Sequence, residues 1–120
     1  TYKKMQESIY KKKDRIKKMI TRLVSQQKIL IGYGAAAKTT TLLNYFGITN
    51  KHFKFIVDDN PLKHNKFTPG SKIPIKSSEN IYKTNIDYIF LLSWNFSKSI
   101  IAKHKRFAKN GGIFLDIHSI

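Results

Sequence analysis

The sequence predicts an α/β fold, a mostly parallel sheet of about five strands with helices on both faces, preceded by a long basic helix. Three observations predict it. Short runs rich in β-branched and aromatic residues (29–31, 53–57, 87–92 and 113–117) alternate with helical or loop segments long enough to cross over, as parallel neighbours require. A glycine turn, Gly32-Tyr33-Gly34, stands between the first run and a helix-like stretch, the arrangement of a Rossmann-like fold. The 120 residues, 41% of them hydrophobic, suffice for one core and leave no room for a second domain of usual size.

Residues 2–24 read as a helix because Tyr2, Met5, Ile9, Ile16, Ile20 and Leu23 recur at three- and four-residue steps, interrupted only at Lys12-Lys13. The period changes at Lys28. Residues 29–31 form the first strand. Residues 35–46 form a helix that buries Leu42, Leu43 and Phe46, and Gly47 closes it in the left-handed conformation with Ile48 packing back. The second strand, 53–57, delivers Asp58-Asp59-Asn60-Pro61, a cluster of turn formers. Residues 62–70 are polar and are ordered only if something holds them. Residues 72–75 form an edge strand, since Pro74 cannot donate to a ladder. Ser77 or Ser78 caps a short helix near Glu79 to Tyr82. Residues 87–92 are apolar enough for an interior strand. Residues 97–109 make a helix with Ile100, Ile101, His104 and Phe107 or Ala108 on one side, and Gly111-Gly112 turn the chain into the last strand. The expected organisation is one domain over 1–120, with 1–26 as a leading helix and 27–120 as the core.

Composition excludes several classes of function. Without cysteine there is no disulfide and no thiolate zinc site, which fits a cytoplasmic protein. No apolar run approaches membrane-spanning length, and the charged first residues do not form a signal peptide. The net charge of +16 invites a nucleic-acid reading, but only Arg15, Arg22 and Arg106 are arginines, and nucleic-acid readers lean on arginine. Residues 1–28 carry ten basic and two acidic side chains, half of the net charge. Exposed aromatics are not interleaved with them as a stacking platform needs, so a solvated helix face is expected rather than a nucleic-acid partner.

In a parallel sheet, ligands bind beyond the carboxyl ends of the strands. Those ends carry Gly32-Tyr33-Gly34-Ala35, Asp58-Asp59-Asn60, Ser93-Trp94-Asn95 and Asp116 with His118. Gly32, Gly34 and Ala37 spell G-x-G-x-x-A, in which backbone amides at a helix N-terminus face a phosphate, with Lys38 adding a cation one turn in. Asp58 or Asp59 supplies the acid expected at the end of the second strand. A purely structural turn explains the same glycines. A phosphate-binding P-loop over Gly32 to Lys38-Thr39 does not, because Ala37 stands where that loop requires glycine. No catalytic group stands out: the four histidines lack metal spacing, His104 reads as partly buried helix surface, and Ser93 is not in a nucleophile elbow. Trp94, the sole tryptophan, could stack on a flat ligand or serve the core.

The segments GYGAAAKTTTLLNYFGI, FIVDDNPLKHNKFTPGSKIPI, IDYIFLLSWNF and GGIFLDI stand in the same order and at similar spacing as in the C-terminal domain of sugar-nucleotide C-methyltransferases, which this chain resembles over about Ile29 to Ile117. The resemblance implies a Rossmann-like domain on the substrate side of an enzyme that methylates a carbon of a nucleoside-diphosphate keto-deoxysugar. It also implies that S-adenosylmethionine and the catalytic base belong to a separate methyltransferase domain, in the same or another chain, and that this domain binds no cofactor or metal of its own. Gly32, Tyr33, Gly34, Ala35 and Lys38 would then face the diphosphate or sugar, with Asp59, Asn60, Trp94 and Asn95 lining the cleft. Two other readings remain open: a freestanding nucleotide- or dinucleotide-binding module, and a basic nucleic-acid-binding protein that uses its first helix.

Overall fold

Alternating apolar residues give each short strand two buried faces, and the chain covers both with helices. The computed structural model describes residues 11–93 and 97–117. Within them run α1 (Lys13–Ser25), β1 (Leu30–Tyr33), α2 (Ala37–Phe46), β2 (Ile56–Val57), β3 (Ile75–Lys76), β4 (Tyr88–Leu91), α3 (Ser97–Lys103), α4 (Lys105–Lys109) and β5 (Ile113–Asp116). Single 3-10 turns occupy Pro61–Lys63 and Ser78–Tyr82. The five strands lie in the order β3-β2-β1-β4-β5, all parallel. The order reverses between β1 and β4, and that switch point opens a crevice in sheets of this kind.

One face of the sheet presents Leu30, Ile56, Phe90 and Leu92 to Ile16 and Ile20 of α1 and to Leu43 and Phe46 of α2. The other presents Ile31, Tyr33, Val57, Ile89 and Leu91 to Ile81, to Ile100 of α3 and to Phe107 of α4. The amphipathic period of α1 therefore serves the core. Its lysines stay at the edge: Lys17 donates to the Gly47 carbonyl at 2.6 Å, and Lys13 lies over the Tyr45 ring. Tyr2, Met5 and Ile9, expected on the same stripe, lie outside the described residues.

The closure of α2 is as the sequence implies. Gly47 has φ +71°, and the amides of Gly47 and Ile48 return to the carbonyls of Asn44 and Leu43. The first strand runs over Leu30–Tyr33 rather than 29–31 and the second is only Ile56–Val57 rather than 53–57; three further boundaries differ for a visible reason. α2 begins at Ala37 rather than residue 35, because the Ala35 amide is held by Asp58 and Ala36 is extended (φ −67°, ψ 157°). The edge strand is Ile75–Lys76 rather than 72–75, because Lys72 takes a left-handed φ of 56° and Ile73 pairs back onto Thr68. Pro74 still offers its carbonyl to the Ile56 amide at 2.8 Å. The expected helix over 97–109 is broken at His104 (φ −117°, ψ 40°) into α3 and α4. The polar stretch before β3 is ordered by bonds between Asn65 and Ile75 and between Lys66 and Ile75.

Candidate functional site

The carboxyl ends of the central strands converge on a cavity of about 370 Å³ lined by Tyr33, Gly34, Ala35, Asp58, Asp59 and Ser93, among others. It sits at the switch point. Gly34 follows β1 with φ +108°, and a side chain there would run into Ser93, which follows β4. Glycine thus satisfies both the backbone angle and the close approach of the two strand ends.

The two aspartates after β2 divide the work. Asp58 faces inward: one carboxylate oxygen accepts the Ala35 amide at 2.9 Å, the other accepts the Asn60 amide at 2.8 Å. Lys63 lies 3.7 Å from it and donates to the Ala35 carbonyl at 3.1 Å. Asp58 therefore fixes the glycine turn to the second strand, and an amide that could have met a ligand anion meets a protein carboxylate instead. Asp59 faces outward, its side chain half exposed. It accepts the Tyr33 hydroxyl at 2.8 and 3.0 Å and pairs with Lys103 at 3.2 Å. Asn60 turns its side chain onto the Leu62 amide and starts the next 3-10 turn, a local role.

Of the residues read from the sequence, Tyr33, Gly34, Ala35 and Asp59 line the cavity together. Gly32, Lys38 and Asn60 do not. Gly32 is inside β1 opposite Phe90, where a side chain would meet Leu92 at 2.7 Å, so its smallness serves packing within the sheet. Lys38 is exposed in the first turn of α2. Trp94, Asn95 and His118 lie outside the described residues. Asp116 ends β5 and accepts the Ser97 hydroxyl at 2.8 Å.

Sequence reasoning missed His104. It is only 4% exposed, not partly buried surface, and both ring nitrogens are engaged: Nε2 with the Tyr33 hydroxyl at 3.1 Å, Nδ1 with the Tyr82 hydroxyl at 2.7 Å. Burial, then the charge of Lys103, hold its pKa below the ordinary 6.5; Asp59 opposes them and Arg106 adds to them. Burial pushes the Tyr33 phenol strongly upward, helped by its hydrogen bond to Asp59, so it stays protonated. A signal was present: His104 occupies the buried stripe between Ile100 and Phe107, where an apolar residue is the default.

A second, larger cavity of about 540 Å³ lies beside Tyr82, Asp87, Arg106 and Asn110. It opens at the amino ends of β4 and β5, the end of a parallel sheet where ligands are not ordinarily held. Size alone does not make it the site. Among the described residues no cluster of His, Asp or Glu could hold a metal ion, and no helix is long and apolar enough to cross a membrane.

The chain also has relatives among known proteins. Over 100 residues the chain is 38% identical to the C-methyltransferase NovU of Streptomyces niveus, an alignment that covers 83% of this chain and 24% of that protein. The chain thus spans about a quarter of the length of its relative. Residues 1–117 match the family described as the C-methyltransferase C-terminal domain, and the chain belongs to that family.

Proposed function

We propose that this domain forms the substrate-side wall of an S-adenosylmethionine-dependent C-methyltransferase acting on a nucleoside-diphosphate keto-deoxysugar. The observation that carries the reading is the cavity at the β1–β4 switch point, where the loop after β1, the aspartates after β2 and Ser93 after β4 share one wall. Ala36, which caps the start of α2, lines the cavity, so the backbone amides of that first turn can meet a diphosphate, with the Lys38 cation outside the cavity wall. Asp59 offers a carboxylate to sugar hydroxyls. Methyl transfer belongs to the partner domain, which holds S-adenosylmethionine, and this domain binds and orients the acceptor sugar without contributing a nucleophile.

Titration of the chain with uridine or thymidine diphosphate tests the reading by amide resonance shifts. Shifts centred on Gly34 to Lys38 are expected. Shifts confined to other surfaces, or none, overturn it. Dinucleotide binding is the weaker alternative, because the inward acid, Asp58, is committed to Ala35 and Lys63 rather than turned toward a ribose. Measured preference for a nicotinamide dinucleotide over both diphosphates would reverse that order.

A further inference from the structure

Four side chains from four segments form one continuous chain of hydrogen bonds: Tyr82 after the second 3-10 turn begins, His104 at the helix break, Tyr33 at the end of β1 and Asp59 after β2. The direction of every bond follows from the charge at one end. A carboxylate can only accept, so Tyr33 must donate its hydroxyl proton to Asp59. The Tyr33 oxygen is then an acceptor for His104, which places the ring proton on Nε2. Nδ1 of the neutral ring is left to accept from Tyr82. Each group has one consistent role, and the ring between the two tyrosines is buried. The break at His104 matters as well: successive residues Lys103 and His104 both act on the Tyr33–Asp59 pair, one from the solvent side and one from the core.

We propose that His104 is a positioning residue, which by donating to Tyr33 locks that hydroxyl onto Asp59 and so holds the Asp59 carboxylate at the cavity wall to accept a hydroxyl of a sugar ring. The proposal rests on the nucleotide-sugar reading of the cavity and adds the residue that orients its acceptor. A half-exposed carboxylate with only Lys103 beside it would sample several rotamers, and the entropy of fixing it would fall on ligand binding. The single bifurcated bond from the buried Tyr33 hydroxyl, shared between both Asp59 oxygens, restricts that freedom before a ligand arrives. The groups that face the ring are Asp59 beyond Tyr33, Lys103 and Arg106 on its own segment, and the two tyrosines. The two lysine and arginine cations oppose a second ring proton, and burial opposes it more strongly.

The test compares three probes on the wild-type chain, on His104→Phe and on His104→Gln: inorganic pyrophosphate, uridine diphosphate and uridine diphosphate glucose. His104→Phe is expected to weaken only the probes that carry the relevant ring, by about tenfold, while pyrophosphate affinity moves by less than about twofold. A loss that begins with uridine diphosphate assigns the hydroxyl to the ribose, and a loss seen only with the glucose conjugate assigns it to the hexose. His104→Gln, which can still donate to Tyr33, should recover most of the loss. Nitrogen chemical shifts of the wild-type ring should show the neutral Nε2–H form at pH 7. An Nδ1–H or doubly protonated ring overturns the proposal, as does a His104→Phe protein whose affinities for all three probes fall together or stay unchanged. Wild-type protein that binds no probe overturns the nucleotide-sugar reading and the positioning role with it, which separates the two failures. Should His104→Phe not fold, Tyr82→Phe removes only the bond at Nδ1; it is expected to release the tautomer and weaken the same probes, and a Tyr82→Phe protein with both unchanged overturns the proposal.

Discussion

The two faces of the sheet are built to the same alternating pattern and differ in what they bury. Beneath α1 and α2 the cluster is aliphatic and phenyl: Ile16, Ile20, Leu30, Leu43, Phe46, Phe53, Ile56 and Phe90. Beneath α3 and α4 the apolar cluster of Ile31, Val57, Ile89, Leu91 and Phe107 is crossed by Tyr33, His104 and Tyr82, which carry hydrogen bonds from the core to Asp59 at the surface. A buried polar group costs free energy unless every partner is in place. The first face gains its stability from buried apolar area. The second depends on geometry, and that geometry ends at the cavity. One face is held together by apolar area alone, and the other also carries a buried polar chain that ends at Asp59 on the cavity wall.

The sharpest way to break that division is to damage the first face. Phe90 is fully buried in β4, 5.4 Å from the Phe53 ring. Phe90→Ala should cost about 3–5 kcal/mol of unfolding free energy, measured by denaturant titration, and the loss should be the same at pH 5 and pH 8. A strongly pH-dependent loss would mean that the two faces are not separable. Gly34→Ala strikes where the faces meet the cavity. With φ +108° and Ser93 in the way, it should cost about 2 kcal/mol and abolish the resonance shifts that a nucleoside diphosphate causes in the wild-type protein. Unchanged binding in that variant would show that the approach of β1 to β4 does not shape the cavity.

Acid should separate the faces by a smaller margin. The folded-state pKa of His104 lies below the ordinary 6.5, so the unfolded chain takes up the proton first. The stability that comes from keeping the ring neutral is fully present above pH 6.5. It is lost as pH falls from there through the folded-state pKa. His52, lowered mainly by burial and by Lys17, contributes with the same sign. The measurement is therefore the difference between the wild type and His104→Gln in unfolding free energy across that window. The variant should show the shallower pH dependence. Equal slopes would place the acid sensitivity elsewhere.

The same contrast explains what could be read from the sequence. The first face was legible where its information is helical: Ile16 and Ile20 at a helical step, Leu43 and Phe46 on the buried side of α2, and Gly47 as a stop. The turn at Gly34 and the acids after β2 were legible as a motif in context. Which aspartate turns inward was not, since Asp58 and Asp59 are adjacent and only the Ala35 amide and the Tyr33 hydroxyl tell them apart. His104 was hidden for a deeper reason. Its partners are 71 and 22 residues away, and no proline or glycine between residues 97 and 109 announces the break. Local propensity favours an uninterrupted helix there, and the tertiary bonds of one imidazole accompany the interruption. Gly32 shows the opposite error, a motif position whose smallness serves the apolar face rather than a ligand.

The smallest expected effect concerns Lys103, which touches Asp59 from the solvent side. Both side chains are about half exposed, so water and salt screen the pair and its contribution to stability should be below about 0.5 kcal/mol. If Asp59 is held chiefly from the core, through Tyr33 and His104, then Lys103→Ala should leave unfolding free energy nearly unchanged and leave the Tyr33 hydroxyl bonded to Asp59. Its effect on uridine diphosphate binding should be confined to low ionic strength and vanish above about 0.3 M salt, where charges more than a few ångströms apart no longer feel each other. A loss of binding that persists in high salt would shift the anchor of Asp59 from the buried imidazole to the surface ammonium. In that case the polar crossing of the second face would be a feature of packing, and the division between the two faces would rest on the cavity alone.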